Sequence, residues 1–406
     1  MDKFIQKITK NKKVELSVHK ERRSPTVIYI NPDEKCNEDC VFCVVKGQNN
    51  GVFGSMNITK AQKTISDFVK NGGEGIVFTG GEPTLRDDLP KIIRYAEKFK
   101  GIQSICIITN GVRLSDKKYF NDLLKADFRN ILNFSVSLHS HKENISEQLT
   151  RLPNSFNRTI NGIKNIIAHG RSLTIYQVIT TKNYKNLYAF ARFLSTNFPK
   201  IKIINLAYPF PQGNAVDNDW LFPKISDLRP HLIKTLRFFE KKGYKIIIAS
   251  CGQFPLCAIP GFEEAVISSL NSSEEKTFGV IGNKAYHDFE MAGDEFQQLY
   301  KNKDKLCRKC IFNNVCQGFW KKYIELFNFD GIRPVTALNF KGNKIKSNLQ
   351  NNKELDYIIK NLNPHKVNLI QVGKFTQTLL ESLVLDARQN KILVIIIDRN
   401  KQILYS

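Results

Sequence analysis

The stretch "GIVFTGGEPTL", residues 75–85, runs a short apolar segment straight into two glycines, a glutamate and a proline. Its first five residues predict a buried strand, and the glycines with Pro83 predict an abrupt turn at that strand's carboxyl end. Similar runs recur on either side. "TVIYI" (26–30), "SICIIT" (104–109), "NFSVSL" (133–138), "TIYQVIT" (174–180) and "KIINLA" (202–207) read as further strands. Between them lie helix-like segments. Thr59 reads as the cap of a helix with Ala61, Ile65, Phe68 and Val69 at helical spacing, stopped by Asn71-Gly72-Gly73. Others fall near 88–99, 115–126, 155–168 and 186–196. The one from Ser155 carries Phe156, Ile160, Ile163, Ile166 and Ile167 on one side. Six strand–helix units in series predict a parallel sheet with crossover helices. Six are too few to close an eight-unit barrel. The expected fold class is therefore α/β, a partial (β/α)6 TIM-like barrel over 26–250, with ligands at the carboxyl ends of the strands.

After "KIIIAS" (245–250) the rhythm breaks into a region punctuated by Cys, Gly and Pro up to about 333, and a small α/β tail follows. In that tail "VNLIQVG" (367–373) and "KILVIII" (391–397) flank a predicted helix over 375–388, and "KQILYS" adds an edge strand. Gly373-Lys374 is a faint phosphate-binding signal for which a structural loop is the simpler reading. Residues 1–25 form a basic arm. The 406-residue chain is 42% hydrophobic, as ordinary globular proteins are. No run approaches the roughly 18 apolar residues of a membrane helix. "MDKFIQKITKNKKVEL" has no uninterrupted apolar core and is not read as a secretory signal, so a cytoplasmic location is expected. The net charge of +23 is scattered, with short clusters such as "KNKDK" (301–305) and "KNKK" (10–13). It suits an anionic partner, and nucleic acid is not favoured over a lysine-rich composition.

Nine cysteines without an export signal argue for metal or catalysis rather than disulfides. "CNEDCVFC" (36–43) supplies three thiols. They suit three corners of an iron–sulfur cubane, whose fourth iron stays open to a small molecule, or a zinc site completed from afar. A second group comprises Cys251, Cys257 and the cysteines of "CRKCIFNNVC" (307–316). Cys106 stands alone in a strand, as a buried structural thiol. Along "FSVSLHS", Ser135, Ser137 and His139 alternate with Phe134, Val136 and Leu138. A parallel strand covered on both faces should be apolar on both, so the polar set predicts a bound polar ligand.

With CxxxCxxC after the first strand, Phe42 before its last cysteine, and GGEP after the second, residues 26–250 resemble the radical S-adenosylmethionine superfamily. The resemblance implies that Cys36, Cys40 and Cys43 hold a 4Fe–4S cluster whose open iron binds S-adenosylmethionine. It implies that Gly80, Gly81 and Glu82, in a turn stiffened by Pro83, receive the cofactor's ammonium. Phe42 belongs to the same site, Asn110 of "ITNG" shapes the pocket, Ser137 contacts the cofactor, and Arg151 pairs with its carboxylate. His139 touches cofactor or substrate, or is a hydrogen-bonded barrel histidine. Gln177 and "YPFPQGNA" (208–215) neighbour the adenosine. No general acid or base is assigned.

The late cysteines resemble the SPASM or shorter twitch extension of that family. Trp320 stands where a further cysteine is expected, and five cysteines cannot fill two four-ligand cubanes. One auxiliary 4Fe–4S cluster is implied, on Cys257, Cys307, Cys310 and Cys316, with Cys251 the alternative fourth ligand and structural zinc the alternative metal. The implied activity is reductive cleavage of S-adenosylmethionine to a 5′-deoxyadenosyl radical, fed by a flavodoxin- or ferredoxin-type reductant, then hydrogen abstraction from substrate. A ribosomally synthesised peptide is the expected substrate, with a small metabolite or cofactor precursor, or RNA, as alternatives. A non-catalytic electron carrier would need neither GGEP nor the polar strand.

Overall fold

The computed structural model describes residues 27–45, 55–248, 252–266, 277–281, 284–286, 300–398 and 403–405; the N-terminal arm and Cys251 lie outside them. Strands β1 (Val27–Asn31), β2 (Gly75–Phe78), β3 (Ser104–Thr109), β4 (Leu132–Ser137), β5 (Leu173–Val178), β6 (Ile203–Ala207) and β7 (Lys245–Ile248) pair in parallel, in chain order. The helices between them are α1 (Ile58–Lys70), α2 (Leu89–Ala96), α3 (Lys117–Ala126), α4 (Glu143–Thr150), α5 (Ser155–Ala168), α6 (Leu187–Asn197) and α7 (Ile225–Lys241). Beyond β1 the sheet continues with β8 (Thr277–Ile281), parallel to β1, and β9 (Lys284–Tyr286), antiparallel to β8.

The six-strand expectation is thus short by β7, which opens the run "KIIIAS" as a further parallel strand on β6. It is short also by β8, where a glycine in the middle of "TFGVI" hides the strand signal.

Register sorts the side chains. Ile28 and Ile30, Ile76 and Phe78, Ile105 and Ile107, Phe134 and Val136, Ile175, Ile204 and Leu206 share one face, and all are buried. Each contributes about 1.5–3 kcal/mol by leaving water, which makes this the face that the crossover helices cover. The opposite face carries Tyr29, Cys106, Asn133, Ser135, Ser137, Tyr176 and Asn205, with Val77, Ile108 and Ile203 among them.

Two helices differ from their sequence reading. The N-cap of α1 is Asn57, whose Oδ1 accepts from the Lys60 amide at 2.8 Å, so Thr59 lies inside the first turn. The buried side of α5 is Thr159, Gly162, Ile163 and Ile166, while Phe156, Ile160 and Ile167 are only half-buried. Close approach decides this rotation. A Cβ on Gly162 would strike the Gly111 carbonyl, and Thr159 Oγ1 donates to the Asn110 carbonyl at 2.8 Å.

The described chain forms two compact units, one of residues 27–253 with 277–286, the other of 254–266 with 300–405. In the second, β10 (Lys301–Asn302) and β11 (Phe319–Trp320) form an antiparallel pair, followed by α8 (Lys321–Phe327). A separate sheet of order β12-β13-β14-β15 is built from β12 (Asn343–Leu349), β13 (Asn368–Phe375), β14 (Val394–Ile397) and β15 (Ile403–Tyr405). Helices α9 (Asn352–Lys360) and α10 (Gln377–Gln389) connect its strands, and Ile345, Ile370, Val372 and Ile396 pack on Ile358, Leu380 and Leu383. β15 is the edge strand and runs antiparallel to β14. Gly373 and Lys374 sit within β13, not in a loop, so the faint phosphate signal has no loop to act through. Among the described residues, no helix is long and apolar enough to cross a membrane.

Candidate active site at the carboxyl ends of the strands

The loop that leaves β1 carries Cys36, Cys40 and Cys43, and four other loops hold it. From the turn after β2, Gly81 N donates to Asp33 O (3.1 Å) and Glu82 N to Lys35 O (2.7 Å). After β3, Asn110 Nδ2 donates to Asn37 Oδ1 at 2.8 Å. At the end of α4, the Thr150 and Leu149 carbonyls accept from Asp39 N (3.0 Å) and Val41 N (2.9 Å). After β6, Asn214 N donates to Cys43 O and Asn214 Nδ2 to Cys40 O, both at 2.9 Å. In a flat sheet the ends of β1 and β6 would lie about 24 Å apart, at about 4.8 Å per strand. Their loops touch, so the sheet curls into a partial barrel whose open face surrounds the site.

Cys36 is exposed while Cys40 and Cys43 are half-buried. Cys40 Sγ donates to Glu38 Oε2 at 3.2 Å, and the Glu38 amide donates to Cys36 Sγ at 3.4 Å. Although Cys36 shows surface to water, the protein packed around it keeps enough water away to push its thiol up to about 12. Burial raises the Cys40 thiol well above its ordinary value, and Glu38 and Cys43 add repulsion to both, Glu82 to Cys36. Burial likewise raises Glu38 to about 7. Cys36 and Cys40 stand within electrostatic reach of Cys43 and of acidic groups, a repulsion that a cationic centre relieves. That donor set fits an iron–sulfur cluster. Among the described residues, no three Cys, His, Asp or Glu side chains form a ready-made site for a single metal ion.

The turn after β2 depends on its glycines. Gly80 has φ +117°, and a Cβ there would run into Asn31; one on Gly81 would run into the backbone of Lys35 and Glu34. Pro83 opens a 3-10 turn over Pro83–Leu85. Glu82 is 2% exposed and accepts from Thr84 N (3.0 Å), Thr84 Oγ1 (2.5 Å), Thr109 Oγ1 (2.7 Å) and Asn110 N (2.7 Å). Burial raises its carboxyl, and those donors work against the rise. All four bonds lead to protein groups, so this carboxylate ties the end of β2 to the end of β3. Asn110 does the same for the loop after β1 through its bond to Asn37, while its Oδ1 accepts from Val112 N of its own loop at 3.0 Å.

Ser137 is the last residue of β4, on the open face. His139 follows, 2% exposed; Val178 N donates to its Nδ1 at 3.2 Å, which leaves the proton on Nε2. Burial pushes His139 down to about 3, so the ring is neutral, and Phe42 packs edge-on at 4.6 Å. Gln177 is in line with Ile175 on the helix-covered face, and its Nε2 donates to the His139 carbonyl at 3.0 Å. Arg151 ends α4 in the left-handed conformation, φ 54°, and pairs with Asp39 of the cysteine loop at 3.2 Å. Phe42, the GGEP turn, Asn110, Ser137, His139 and Arg151 therefore gather at one end of the sheet. Gln177 meets the group only through His139.

The sequence reading placed Asn214 only within a segment beside the adenosine and gave no role to Asn37, Tyr176 or Asn205. Tyr176 and Asn205 are paired in register beside Ser137, and Asn205 Oδ1 is buried without a hydrogen-bond partner. The alternation argument used for Ser135 and Ser137 would have found them. Asn214 and Asn37 act across loops distant in sequence, and no local signal marks them.

In the second unit, Asp304 caps a 3-10 turn over Lys305–Lys309. Cys310 N donates to Cys307 O at 2.9 Å, Cys316 N to Phe312 O at 2.8 Å, and Gly318 N to Cys316 Sγ at 3.4 Å. Cys307, Cys310 and Cys316 sense one another's charge, and burial raises the first two. Cys257 belongs to the same unit, in a 3-10 turn over Leu256–Ala258. Lys301 is buried there, and burial pushes it down to about 7 against the pull of Cys316.

Residues 30–194 match the model of the radical SAM superfamily. A probable GTP 3′,8-cyclase of Sulfolobus acidocaldarius is 33% identical over 278 residues, covering 66% of this chain and 85% of the relative. Fe-coproporphyrin III synthase of Methanosarcina barkeri is 24% identical over 223 residues, 55% of this chain, which spans about half (54%) of that relative. Among solved structures, Streptococcus suis SuiB bound to S-adenosylmethionine has TM-score 0.53 at 17% identity, over 75% of this chain and 74% of SuiB. Native anSMEcpe with bound AdoMet has TM-score 0.52 at 15% identity, over 73% and 90%. These likenesses identify the fold.

Proposed function

The chain belongs to the radical SAM superfamily, and from that premise we propose that Cys36, Cys40 and Cys43 ligate its 4Fe–4S cluster and that its substrate is a ribosomally synthesised peptide. Cluster and S-adenosylmethionine bound there would supply, on one-electron reduction, methionine and a 5′-deoxyadenosyl radical able to take hydrogen from the substrate. The enzyme needs a one-electron reductant, for which a flavodoxin or ferredoxin type is the proposal.

The protein's own contribution is orientation and exclusion of water. Asn214, Glu82 and Asn110 lock the cysteine loop to three neighbouring loops, so the ligands are fixed before the cofactor arrives. Phe42 and His139 wall the loop with a neutral edge-to-face pair. Gly80 and Gly81 let the backbone come close to the site. Arg151, held by Asp39, is the cation proposed to receive the cofactor's carboxylate.

One observation carries the peptide reading. From β1 to β6 the open face presents hydroxyls, amides and a thiol (Tyr29, Cys106, Asn133, Ser135, Ser137, Tyr176, Asn205) among apolar Val77, Ile108 and Ile203, and no charged side chain. Such a surface suits amide backbone, whereas a nucleoside triphosphate calls for clustered cations. A basic chain also suits an acidic leader sequence. A second reading, a small metabolite, is favoured by relatives named as probable GTP 3′,8-cyclases. Cys257, Cys307, Cys310 and Cys316 are proposed to hold one auxiliary 4Fe–4S cluster.

Anaerobic turnover separates the two substrate readings. 5′-Deoxyadenosine formation stimulated by a peptide that emerges with an altered mass supports the first. Stimulation by GTP and by no peptide overturns it in favour of the second.

A further inference from the structure

We infer that Lys301 is the built-in counter-charge of the metal group held by Cys307, Cys310 and Cys316, a positioning residue that sets that group's reduction potential. The inference rests on reading these cysteines as an auxiliary cluster site. Lys301 is 4% exposed, an unusual place for an ammonium. Burying one costs several kcal/mol unless an opposite charge answers it. Two of the groups that hold its side chain are neutral. Its Nζ donates to Gln317 Oε1 at 3.3 Å and lies 4.2 Å from the centre of the Trp320 ring, a contact worth about 2 kcal/mol when desolvated.

The backbone fixes this position. Lys301 and Trp320 are direct partners in the β10–β11 ladder. Gly318, at φ 93°, lets the chain fold back; a Cβ there would strike the Asn302 carbonyl. The same fold-back sets Gly318 N on Cys316 Sγ and brings that sulfur within electrostatic reach of the ammonium. A cluster ligated by thiolates carries net negative charge. Buried cation and buried anion thus answer each other's desolvation, and a fixed cation favours the more negative, reduced state. Trp320 has a part in this. It fills the place where a further cysteine is expected, and its ring seats the lysine instead of a second metal group.

The test is potentiometric titration, followed by electron paramagnetic resonance, of anaerobically purified wild type, Lys301→Met and Lys301→Arg, with iron and zinc counted. Lys301→Met is expected to lower the reduced-to-oxidised ratio of the auxiliary cluster at a fixed potential at least about tenfold, which is about 59 mV for one electron. Lys301→Arg, which keeps the charge, should stay near wild type, and the cluster on the Cys36 loop should be unmoved in both. If Lys301→Met sheds the auxiliary iron while Lys301→Arg retains it, the counter-charge role is likewise supported. Loss in both variants, or an unchanged potential in Lys301→Met, overturns it and leaves a packing role. Wild-type protein carrying one cluster only, or zinc on the late cysteines, overturns the auxiliary-cluster reading itself and this inference with it.

Discussion

The side-chain amide of Asn214 donates to the carbonyl oxygen of Cys40 at 2.9 Å, joining the loop after β6 to the loop after β1 across the mouth of the curled sheet. The Asn214 backbone amide adds a second bond, to Cys43. Asn214→Ala keeps the second and loses the first, worth about 1 kcal/mol, together with a long bond to Asp39 at 3.5 Å, and leaves the Cys40 carbonyl with the Cys43 amide alone. The expected result is cluster loss to a chelator up to about tenfold faster than in wild type, with the melting temperature nearly unchanged. Equal loss rates would show that this tie does not govern the loop.

Gly81 touches the same loop from the other side, where a Cβ would meet the backbone of Lys35 and Glu34. Neither neighbour is a flexible side-chain tip that could swing away. Gly81→Ala should cost about 2–3 kcal/mol and lower iron incorporation. Gly170→Ala is the control, since Gly170, unlike Gly81, has positive φ, yet nothing lies within 4 Å of its missing Cβ. Its cost should be about 1 kcal/mol with iron content intact. If the two variants match in iron content and stability, close approach is not what Gly81 supplies.

Far from the cysteines, Glu97 and Asp127 set a pH dependence. Asp127 is ion-paired with Arg171 at 2.8 Å, and Glu97 beside it accepts from Arg129 N on its Oε2 at 3.0 Å. Burial first, then the contact with Asp127, raises Glu97 from 4.5 to about 7. A carboxyl raised on folding gives stability that is full below the unfolded value and is lost as pH climbs through the folded one. Wild-type melting temperature should therefore fall between about pH 4.5 and 7 through this group. Glu97→Gln, which offers an N–H to Asp127 and an oxygen to Arg129 at any pH, should be the more stable protein above pH 7 and near parity at pH 5. Parallel melting curves across that range would show that no proton is shared there.

Much of the barrel was legible because covered parallel strands are written as apolar runs, and because glycines in "TGGEP" mark a place where backbones crowd. The same logic missed β7, four residues long with an exposed Lys245 at its start, and β8, broken by Gly279. It turned α5 toward Phe156 and Ile160, since bulk dominates a hydrophobicity reading. The structure turns it toward Thr159 and Gly162, since only small residues let a helix reach the Gly111 turn. Asn57 displaced Thr59 as a cap for a one-residue reason, that its oxygen reaches Lys60 N. Of the site, the residue types and their strand ends were readable. The ties from Asn214, Thr150 and Asn110 to the cysteine loop, the last made to Asn37, were not, because they join segments far apart in sequence.

The most direct measurement of the central claim is electron–nuclear double resonance on the reduced cluster with methionine-labelled S-adenosylmethionine bound. The account predicts hyperfine coupling from the labelled amino and carboxyl groups in wild type, and loss of both cluster and coupling in Cys43→Ala. A wild-type cluster that shows no coupling, or a Cys43→Ala protein whose coupling is unaltered, would contradict it.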